Sequence, residues 1–318
     1  NTIESIRKFV FKFKLNFFKN FLNKYKINFL IFVTPSKLVF FCRHIDFVST
    51  IWEIQYKYYP HLAEYKNIYF DLKDRDDISK FISLYAFRIF VGTAKSKDEF
   101  SKFYNCEKSR IVEKLTQSMI VNKAKAQPIK PKKNNLEEYL FYPAQFWSHK
   151  NHLYIVEAFK EFKKKNLDVK CIFTGSDKGH LKKIKEKIKE YNLENYFKIH
   201  EYLSDEEIIE LYVNCTAVVI PTVVGTFTFP HIEAFFFEKI VFSATENLDK
   251  SFKERVVNID LNHPKSLIDN FLKLKENKDK FKSIIESNKN FYNEKLSFDI
   301  NIDIYKNLLD QYMSKVNK

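Results

Sequence analysis

The chain has 318 residues and is 45% hydrophobic, which is enough for two domains that each bury a core. Only 4 Gly and 8 Pro occur, which excludes a fibrous or low-complexity protein, and no apolar run is long enough to span a membrane. The net charge of +14 predicts an anionic partner (nucleic acid, phospholipid or a phosphorylated substrate), unless the lysines only reflect an AT-rich coding sequence.

The first half of the chain predicts an α/β unit that opens with a basic helix. Residues 3–25 mix apolar and lysine side chains at helical spacing, as in a helix that lies on an anionic membrane. The apolar face is wide, however, and this slightly favours a helix that packs on a domain core. Short apolar runs predict buried strands at 27–33, 37–42, 45–50 and 87–94. Helices are predicted near 76–85 and over 96–104, with Ser96 and Glu99 spaced as a capping box.

The second half follows a linker-like segment. Residues 122–135 have two prolines, five lysines and no apolar periodicity. Beyond them, strands and helices alternate, which indicates βαβ units and a parallel doubly wound sheet. Strands are predicted at 138–144, 168–175, 197–202, 216–222, 239–244 and 256–261. Helices are predicted at 150–166, 179–192, 204–215 (with Ser204 and Glu207 as a capping box), 230–237, 263–297 and 299–316. We therefore expect a first domain over 1–121, a linker over 122–135, a second domain over 136–297 and a C-terminal helix over 298–318.

The cysteines and the amino terminus indicate the cellular compartment in which the chain works. The four cysteines are Cys42, Cys106, Cys171 and Cys215, and none has the spacing of a metal site. Cys171 and Cys215 lie in apolar runs, so we expect buried thiols in a reducing compartment. The chain starts at Asn1 without Met and shows no clear signal peptide, which indicates a trimmed or partial cytoplasmic chain.

Candidate ligand residues follow the first two strands of the second half. In an open parallel sheet, ligands bind outside the carboxyl ends of the strands. Lys150 follows the first of these strands at a helix start, where a cation and backbone N–H groups can bind a phosphate. Gly175 and Ser176 follow the second strand in a small-residue turn that lets a ligand approach the backbone.

The next two strands are followed by residues suited to a nucleoside. Tyr202 and Leu203 follow the third strand, where main-chain groups and the tyrosine could contact a base. Gly225 and Thr226 lead into a helix that carries Glu233, whose carboxylate can accept hydrogen bonds from two ribose hydroxyls. Each residue alone has an ordinary structural explanation, but together they describe a site for a nucleoside diphosphate.

These segments resemble family-four retaining glycosyltransferases. The resemblance rests on the ordered series YPAQFWSHKNH, FTGS, LSDEEIIELY, AVVIPT and GTFTFPHIEA, within residues 139–245. It implies an α/β fold of the GT-B type, with two Rossmann-like doubly wound domains facing a cleft. The acceptor would bind on the first domain and an NDP-sugar donor on the second. It also implies that Lys150 binds the donor diphosphate, that Glu233 is the second of two paired glutamates, and that neither a metal nor another cofactor is needed.

Two positions of the second half depart from the family pattern. Residue 225 is Gly where the first paired glutamate would lie, although a glycine followed by Thr occurs in one branch of the family. Gln145 replaces an arginine that precedes the lysine of the first loop, and this removes a charge that would bind the diphosphate.

The first half matches the family less closely. The segment TIWEIQYKYYPHL is similar to a WDLxHRxxPEF loop of related enzymes, with Glu53, Tyr56 and Lys57 in place of Asp, His and Arg. Glu53 and Tyr56 would line the acceptor side of the cleft. The family's N-terminal glycine-rich loop is absent, since Gly92 is the only glycine before residue 175, so the first domain is short or incomplete.

Other sites are less well supported. His149 and His152 lie three residues apart and could bind a metal, but an ordinary pair at a helix start is favoured because no carboxylate or cysteine lies near them in the sequence. A nucleic-acid partner is disfavoured, since lysines alternate with acids in most helices and no recognition motif occurs.

The resemblance predicts a function and a location. The chain would transfer a sugar, with retention, from an NDP-sugar to a growing surface glycan such as capsule or O-antigen. It would act in the cytoplasm, and with a lipid-linked acceptor its basic first half could dock peripherally on anionic lipid at the plasma membrane. The alternative is a non-catalytic paralogue that binds a partner enzyme or a glycan, as the changed motif positions suggest.

Overall fold

The computed structural model of the chain describes residues 15–62, 72–115, 118–130 and 137–317. They divide into two compact units, of which the first ends at Lys114 and the second begins at Leu115, with Leu62 counted in the second. This division lies before the predicted boundary at residue 121, because Leu115 and Val121 already pack in the core of the second unit.

In the part of the first unit that the structure describes, four strands form a parallel sheet in the order β1-β2-β3-β4. Its elements are α1 (residues 15–24), β1 (Phe29–Phe32), β2 (Asp46–Ile51), α2 (Leu72–Tyr85), β3 (Arg88–Val91), α3 (Ala94–Tyr104) and β4 (Ile111–Glu113). The helix predicted over 3–25 is thus observed from residue 15, and its residues 3–14 lie outside the described part of the chain. The strands at 27–33, 45–50 and 87–94 are confirmed.

Two local predictions in the first unit are wrong. The apolar run 37–42 is not a strand but a 3₁₀ turn, Lys37–Phe41, in which Ser36 accepts a hydrogen bond from the Leu38 N–H. A serine hydroxyl that bonds to the backbone two residues on favours a turn over a strand. Helix α3 begins two residues before the predicted cap, since the Thr93 hydroxyl accepts the Ser96 N–H at 3.2 Å.

The second unit contains a parallel sheet of six strands in the order β10-β9-β8-β5-β6-β7. Its strands are β5 (Tyr139–Pro143), β6 (Lys170–Thr174), β7 (Phe197–His200), β8 (Ala217–Ile220), β9 (Ile240–Ser243) and β10 (Val257–Asn258). The order reverses between β5 and β8, as in a classical doubly wound nucleotide-binding sheet. The predicted alternation over residues 138–261 is therefore confirmed.

Helices cover this sheet and close the chain. They are α4 (Met119–Ala126), α5 (His152–Lys164), α6 (Leu181–Glu190), α7 (Asp205–Asn214), α8 (Phe229–Phe236), α9 (Lys250–Lys253), α10 (Lys265–Glu276), α11 (Lys278–Phe291) and α12 (Phe298–Val316). The capping box of Ser204 and Glu207 is confirmed at the start of α7. Residues 122–126, predicted as the start of a linker, continue α4 because Val121 and Ala124 are buried. Residues 131–135 of that segment lie outside the described ranges.

The cysteines are buried thiols. All four are free, and Cys171 and Cys215 lie in the core of the second unit, as predicted. Burial raises the pKa of the Cys215 thiol to about 12, so it stays protonated. None of the described helices has the length and apolar character that a membrane crossing requires.

Candidate functional site

The sheet of the second unit opens where its strand order reverses. The ladder between β5 and β8 stops at the pair Phe141 and Val218, whereas β8 pairs with β9 as far as Ile220. Beyond the ladder, the buried Tyr142 hydroxyl lies 2.9 Å from the Lys150 carbonyl and 2.9 Å from Thr222 Oγ1. A tyrosine thus ties the loop after β5 to the loop after β8 at the point where such sheets bind ligands.

Lys150 ends a short turn after β5 instead of lying inside α5. The turn spans Ser148–Lys150, and Asn151 with φ +55° joins it to α5. The backbone N–H of Val223 donates to the His149 carbonyl at 2.9 Å, which holds this turn against the loop after β8. The backbone of both loops therefore fixes the position of Lys150.

The charge of Lys150 acts on the first residues of two helices. Burial, together with the smaller effect of the neighbouring Lys150 charge, lowers the pKa of His152 at the start of α5 to about 3. Burial and Lys150 likewise lower the pKa of His231, in the first turn of α8, to about 3. Lys150 therefore lies near the amino ends of α5 and α8, where positive helix dipole ends favour an anion.

His231, in the first turn of α8, lies near Lys150 of the candidate site and was not singled out by the sequence analysis. It is fully buried, and the Thr228 N–H donates to its Nδ1 at 3.1 Å. Its Nε2 therefore carries the proton and donates to Ser243 Oγ at 3.0 Å. The ring joins α8 to β9 and orients the first turn of the helix. The spacing of Thr228 and His231, equal to that of a capping box, is the signal that could have revealed it.

Gly175 and Ser176 lie in the loop after β6, against the loop after β5. The backbone closely surrounds Gly175, since a Cβ there would be 2.5 Å from the Ala144 carbonyl oxygen. Phe146 N–H donates to the Ser176 carbonyl at 3.1 Å, so the loops after β5 and β6 are joined. Asp177 caps α6 by accepting backbone N–H bonds, including that of Gly179 at 2.8 Å, and these bonds lower its pKa.

Three further candidates lie at the exposed rim. Tyr202 is 90% exposed after β7, and Leu203 beside it is half-buried. Gln145 is exposed, and its Oε1 accepts a hydrogen bond from the indole N–H of Trp147 at 2.9 Å. The position that carries arginine in the family thus holds the side chain of Trp147 here. The sequence analysis did not single out Trp147.

The loop after β8 leads into α8. Gly225 has φ +112°, a conformation that side chains with a Cβ rarely adopt, and Thr226 beside it is buried. The Thr226 carbonyl accepts the Asp249 N–H at 2.9 Å, which ties this loop to the one after β9. Glu233, one turn into α8, is buried; Ser118 and Tyr212 donate hydroxyl hydrogen bonds to its two oxygens.

Glu53 and Tyr56 belong to the first unit and differ in exposure. Glu53 is half-buried, accepts the Gln55 N–H and lies 3.7 Å from Arg75. Tyr56 is buried, and its hydroxyl lies 2.6 Å from the Tyr104 hydroxyl and 3.2 Å from Ser79 Oγ. Tyr56 was predicted to line an acceptor surface, but its hydroxyl instead faces the interior of the first unit.

A metal site is not formed by the residues that the structure describes. No three of their His, Cys, Asp or Glu side chains are grouped so as to hold an ion. The ring of His152 packs among Tyr142, Phe146 and Phe173, at centroid distances of 4.6, 4.8 and 5.0 Å. His152 is thus part of the aromatic core beneath the candidate site.

Comparison with known proteins identifies relatives of this arrangement. Residues 123–291, more than half of the chain, match the family Glycosyl transferases group 1. No curated protein matches the chain.

Solved structures share its fold. HepE of Anabaena in complex with UDP is similar with a TM-score of 0.71 and 14% identity, over 92% of this chain and 81% of that one. Sucrose-phosphate synthase of Thermosynechococcus elongatus has a TM-score of 0.75 and 14% identity, over 94% and 77%. A Rickettsia africae glycosyltransferase has a TM-score of 0.65 and 18% identity, over 93% and 80%. The predicted GT-B fold is confirmed, with the N-terminal sheet the smaller of the two.

Proposed function

The chain belongs to the family Glycosyl transferases group 1 and is a retaining glycosyltransferase, and we propose that it transfers a sugar from a UDP-sugar to a growing surface glycan such as capsule or O-antigen. The observation that carries the donor site is the position of Lys150. Its charge lies near the amino ends of α5 and α8, at the reversal point of a doubly wound sheet. This arrangement suits the diphosphate of a nucleotide sugar.

The proposed chemistry uses positive charge and needs no nucleophile from the protein. When the bond between the sugar and the diphosphate breaks, negative charge develops on the leaving oxygens. Lys150 and the amino ends of the helices stabilise that charge, because they are already oriented before the reaction begins. The acceptor hydroxyl then attacks from the face that the diphosphate leaves, and its proton passes to the leaving phosphate. This route preserves the configuration at the anomeric carbon.

The remaining candidates would bind the rest of the donor. Glu233 would accept hydrogen bonds from the ribose hydroxyls, and Tyr202 with Leu203 would contact the base. Gly175 and Ser176 would let the donor approach the backbone. UDP is the first nucleotide to test, since structures of HepE contain UDP or UDP-glucose. The first unit would bind the acceptor, with Glu53 as its candidate residue.

A thermal-shift titration with UDP, GDP, ADP and CDP tests the donor site. A nucleotide at a hundred times its Kd should stabilise the wild type by about 2.7 kcal/mol. Lys150→Ala should lose most of this shift. Lys165→Ala, which changes an exposed lysine at the other end of α5, should keep it. Equal shifts in all three proteins would contradict the role of Lys150, and no shift with any nucleotide would contradict the donor site itself.

The location of the enzyme is a separate proposal. The net charge of +14 would hold the protein at the cytoplasmic face of an anionic membrane, where a lipid-linked acceptor would lie. Co-sedimentation with vesicles that contain anionic lipid, at low and high salt, tests this. Binding that falls steeply with salt is expected, and no binding at low salt would refute it.

A further inference from the structure

The carboxylate of Glu233 is held by two hydroxyl groups from elsewhere in the second unit. Ser118 donates to Oε1 at 2.5 Å, and Tyr212 donates to Oε2. The glutamate is only 7% exposed, so these bonds form away from bulk water. Burial raises the pKa of Glu233 above its ordinary value, and the two hydroxyl bonds, which favour the charged form, offset this rise only in part.

Tyr212 is fixed in place by its ring. It is fully buried on α7, and its ring lies edge-on to Phe141 at 5.0 Å and stacks on Phe237 at 5.0 Å. A ring packed on two sides keeps its hydroxyl in one position. The phenol therefore sets the orientation of the carboxylate plane, and loss of the hydroxyl alone would leave the packing of the ring intact.

Ser118 directs its hydroxyl to Glu233 instead of to its own helix. It is the residue before α4, where a serine commonly accepts a hydrogen bond from the backbone of the first turn. Its hydroxyl makes no such bond here, although the residue is buried. The bond to Glu233 thus takes the place of an ordinary helix cap, at a position distant in sequence from the helix that carries the glutamate.

We propose that Tyr212 and Ser118 are positioning residues that orient the Glu233 carboxylate toward the ribose hydroxyls of the donor. This inference rests on the proposed ribose contact of Glu233. An ionised carboxylate has about four acceptor positions, two on each oxygen. Each hydroxyl occupies one position on its own oxygen, so each oxygen keeps one for a ribose hydroxyl. The two donors therefore make the glutamate a two-point acceptor with a fixed orientation.

The preference for UDP over 2′-deoxy-UDP measures this orientation directly. Isothermal titration gives the ratio of the two Kd values for the wild type, Tyr212→Phe and Ser118→Ala. The wild type should prefer UDP by about tenfold or more, since a hydrogen bond to a charged group is lost with the 2′-hydroxyl. Each variant should prefer UDP by no more than about threefold, because a carboxylate with one hydroxyl removed is free to turn.

Tyr139→Phe is the matched control. Tyr139 donates its hydroxyl to the carbonyl of Leu211, the residue next to Tyr212, and does not bond to Glu233. This variant should lose some thermal stability and keep the wild-type ratio. If the role of Tyr212 is purely structural, Tyr212→Phe should behave like this control, with a lower Tm and an unchanged ratio of the two Kd values.

The outcomes separate this inference from the proposed function. Wild-type selectivity that falls in the Tyr212 and Ser118 variants supports the inference. If both variants keep the wild-type selectivity, the inference is wrong, but the proposed donor site is not contradicted. A wild type that binds UDP and 2′-deoxy-UDP equally overturns both the ribose contact and the inference. If Tyr212→Phe does not fold, Ser118→Ala alone decides the question, since it removes the bond to the other oxygen.

Discussion

Acidification should destabilise the protein through His152, whose ring is buried at the start of α5. Burial among aromatic rings lowers its pKa from an ordinary 6.5 to about 3. Below pH 6.5 the unfolded chain binds a proton at this residue, whereas the folded chain does not until the pH approaches 3. Stability is therefore lost as the pH falls through this window. Between pH 7 and pH 5 the loss from this one group is about 2 kcal/mol.

A variant that cannot titrate isolates this loss. His152→Phe keeps an aromatic ring among Tyr142, Phe146 and Phe173 and removes the ionisable group. Urea unfolding of both proteins at pH 7, 6 and 5 gives their free energies of unfolding. Groups common to both proteins cancel in the difference, including Glu233, whose raised pKa acts in the opposite direction. The variant should gain about 2 kcal/mol on the wild type over this range.

Two free energies of unfolding that change in parallel with pH would refute this reasoning. They would mean that the imidazole is protonated in the folded state at pH 5, and hence that the site is open to water. His231 offers an independent repeat, since burial also lowers its pKa to about 3. Replacing His231 also removes its hydrogen bonds to Thr228 and Ser243. The test for His231 is therefore how the free energy of unfolding changes with pH, and not its absolute value.

Two stability predictions concern the loops and caps around the site. Gly175→Ala should cost about 2 kcal/mol or more in urea unfolding, because its Cβ would lie 2.5 Å from the Ala144 carbonyl oxygen. Gly179→Ala, where a Cβ meets open space at φ +93°, should cost only the backbone strain of about 1 kcal/mol, and equal costs would refute the argument from close approach. Ser204→Ala should cost about 1 kcal/mol through loss of the capping box of α7. Ser297→Ala should cost much less, since that hydroxyl caps nothing at the start of α12; a larger loss there would contradict the capping argument.

The candidate donor site was only partly predictable from the sequence. Lys150, Gly175 and Gly225 could be proposed because residues after parallel strands meet at one edge of the sheet, whatever the order of the strands. His231 was not found, since nothing in its neighbourhood shows that Ser243 would face its ring. Gln145 was recognised as the replacement of a charged residue, but its bond to Trp147 became visible only in the folded loop.

Short-range sequence patterns predicted secondary structure correctly where the interaction that decides the conformation joins residues close in sequence. The periods of apolar residues and the Ser204 cap depend on neighbours within a few positions, so the sequence alone determined the alternating strands and helices and the parallel sheet of the second unit. The same reasoning erred over 37–42, where the short-range bond of Ser36 outweighed an apolar run that resembles a strand.

The tertiary structure alone decided which distant side chains meet. Ser118 precedes α4, Tyr212 lies on α7 and Glu233 lies on α8, and the first and last are 115 positions apart in the chain. Each of them has an ordinary residue type in an ordinary local context, so no pattern singles out the group. Their contact depends on strand order and helix packing, which arise when the whole unit buries its apolar surface. The sequence by itself thus determined the elements and the sheet edge at which the candidate site lies, and folding decided which side chains hydrogen-bond to its residues.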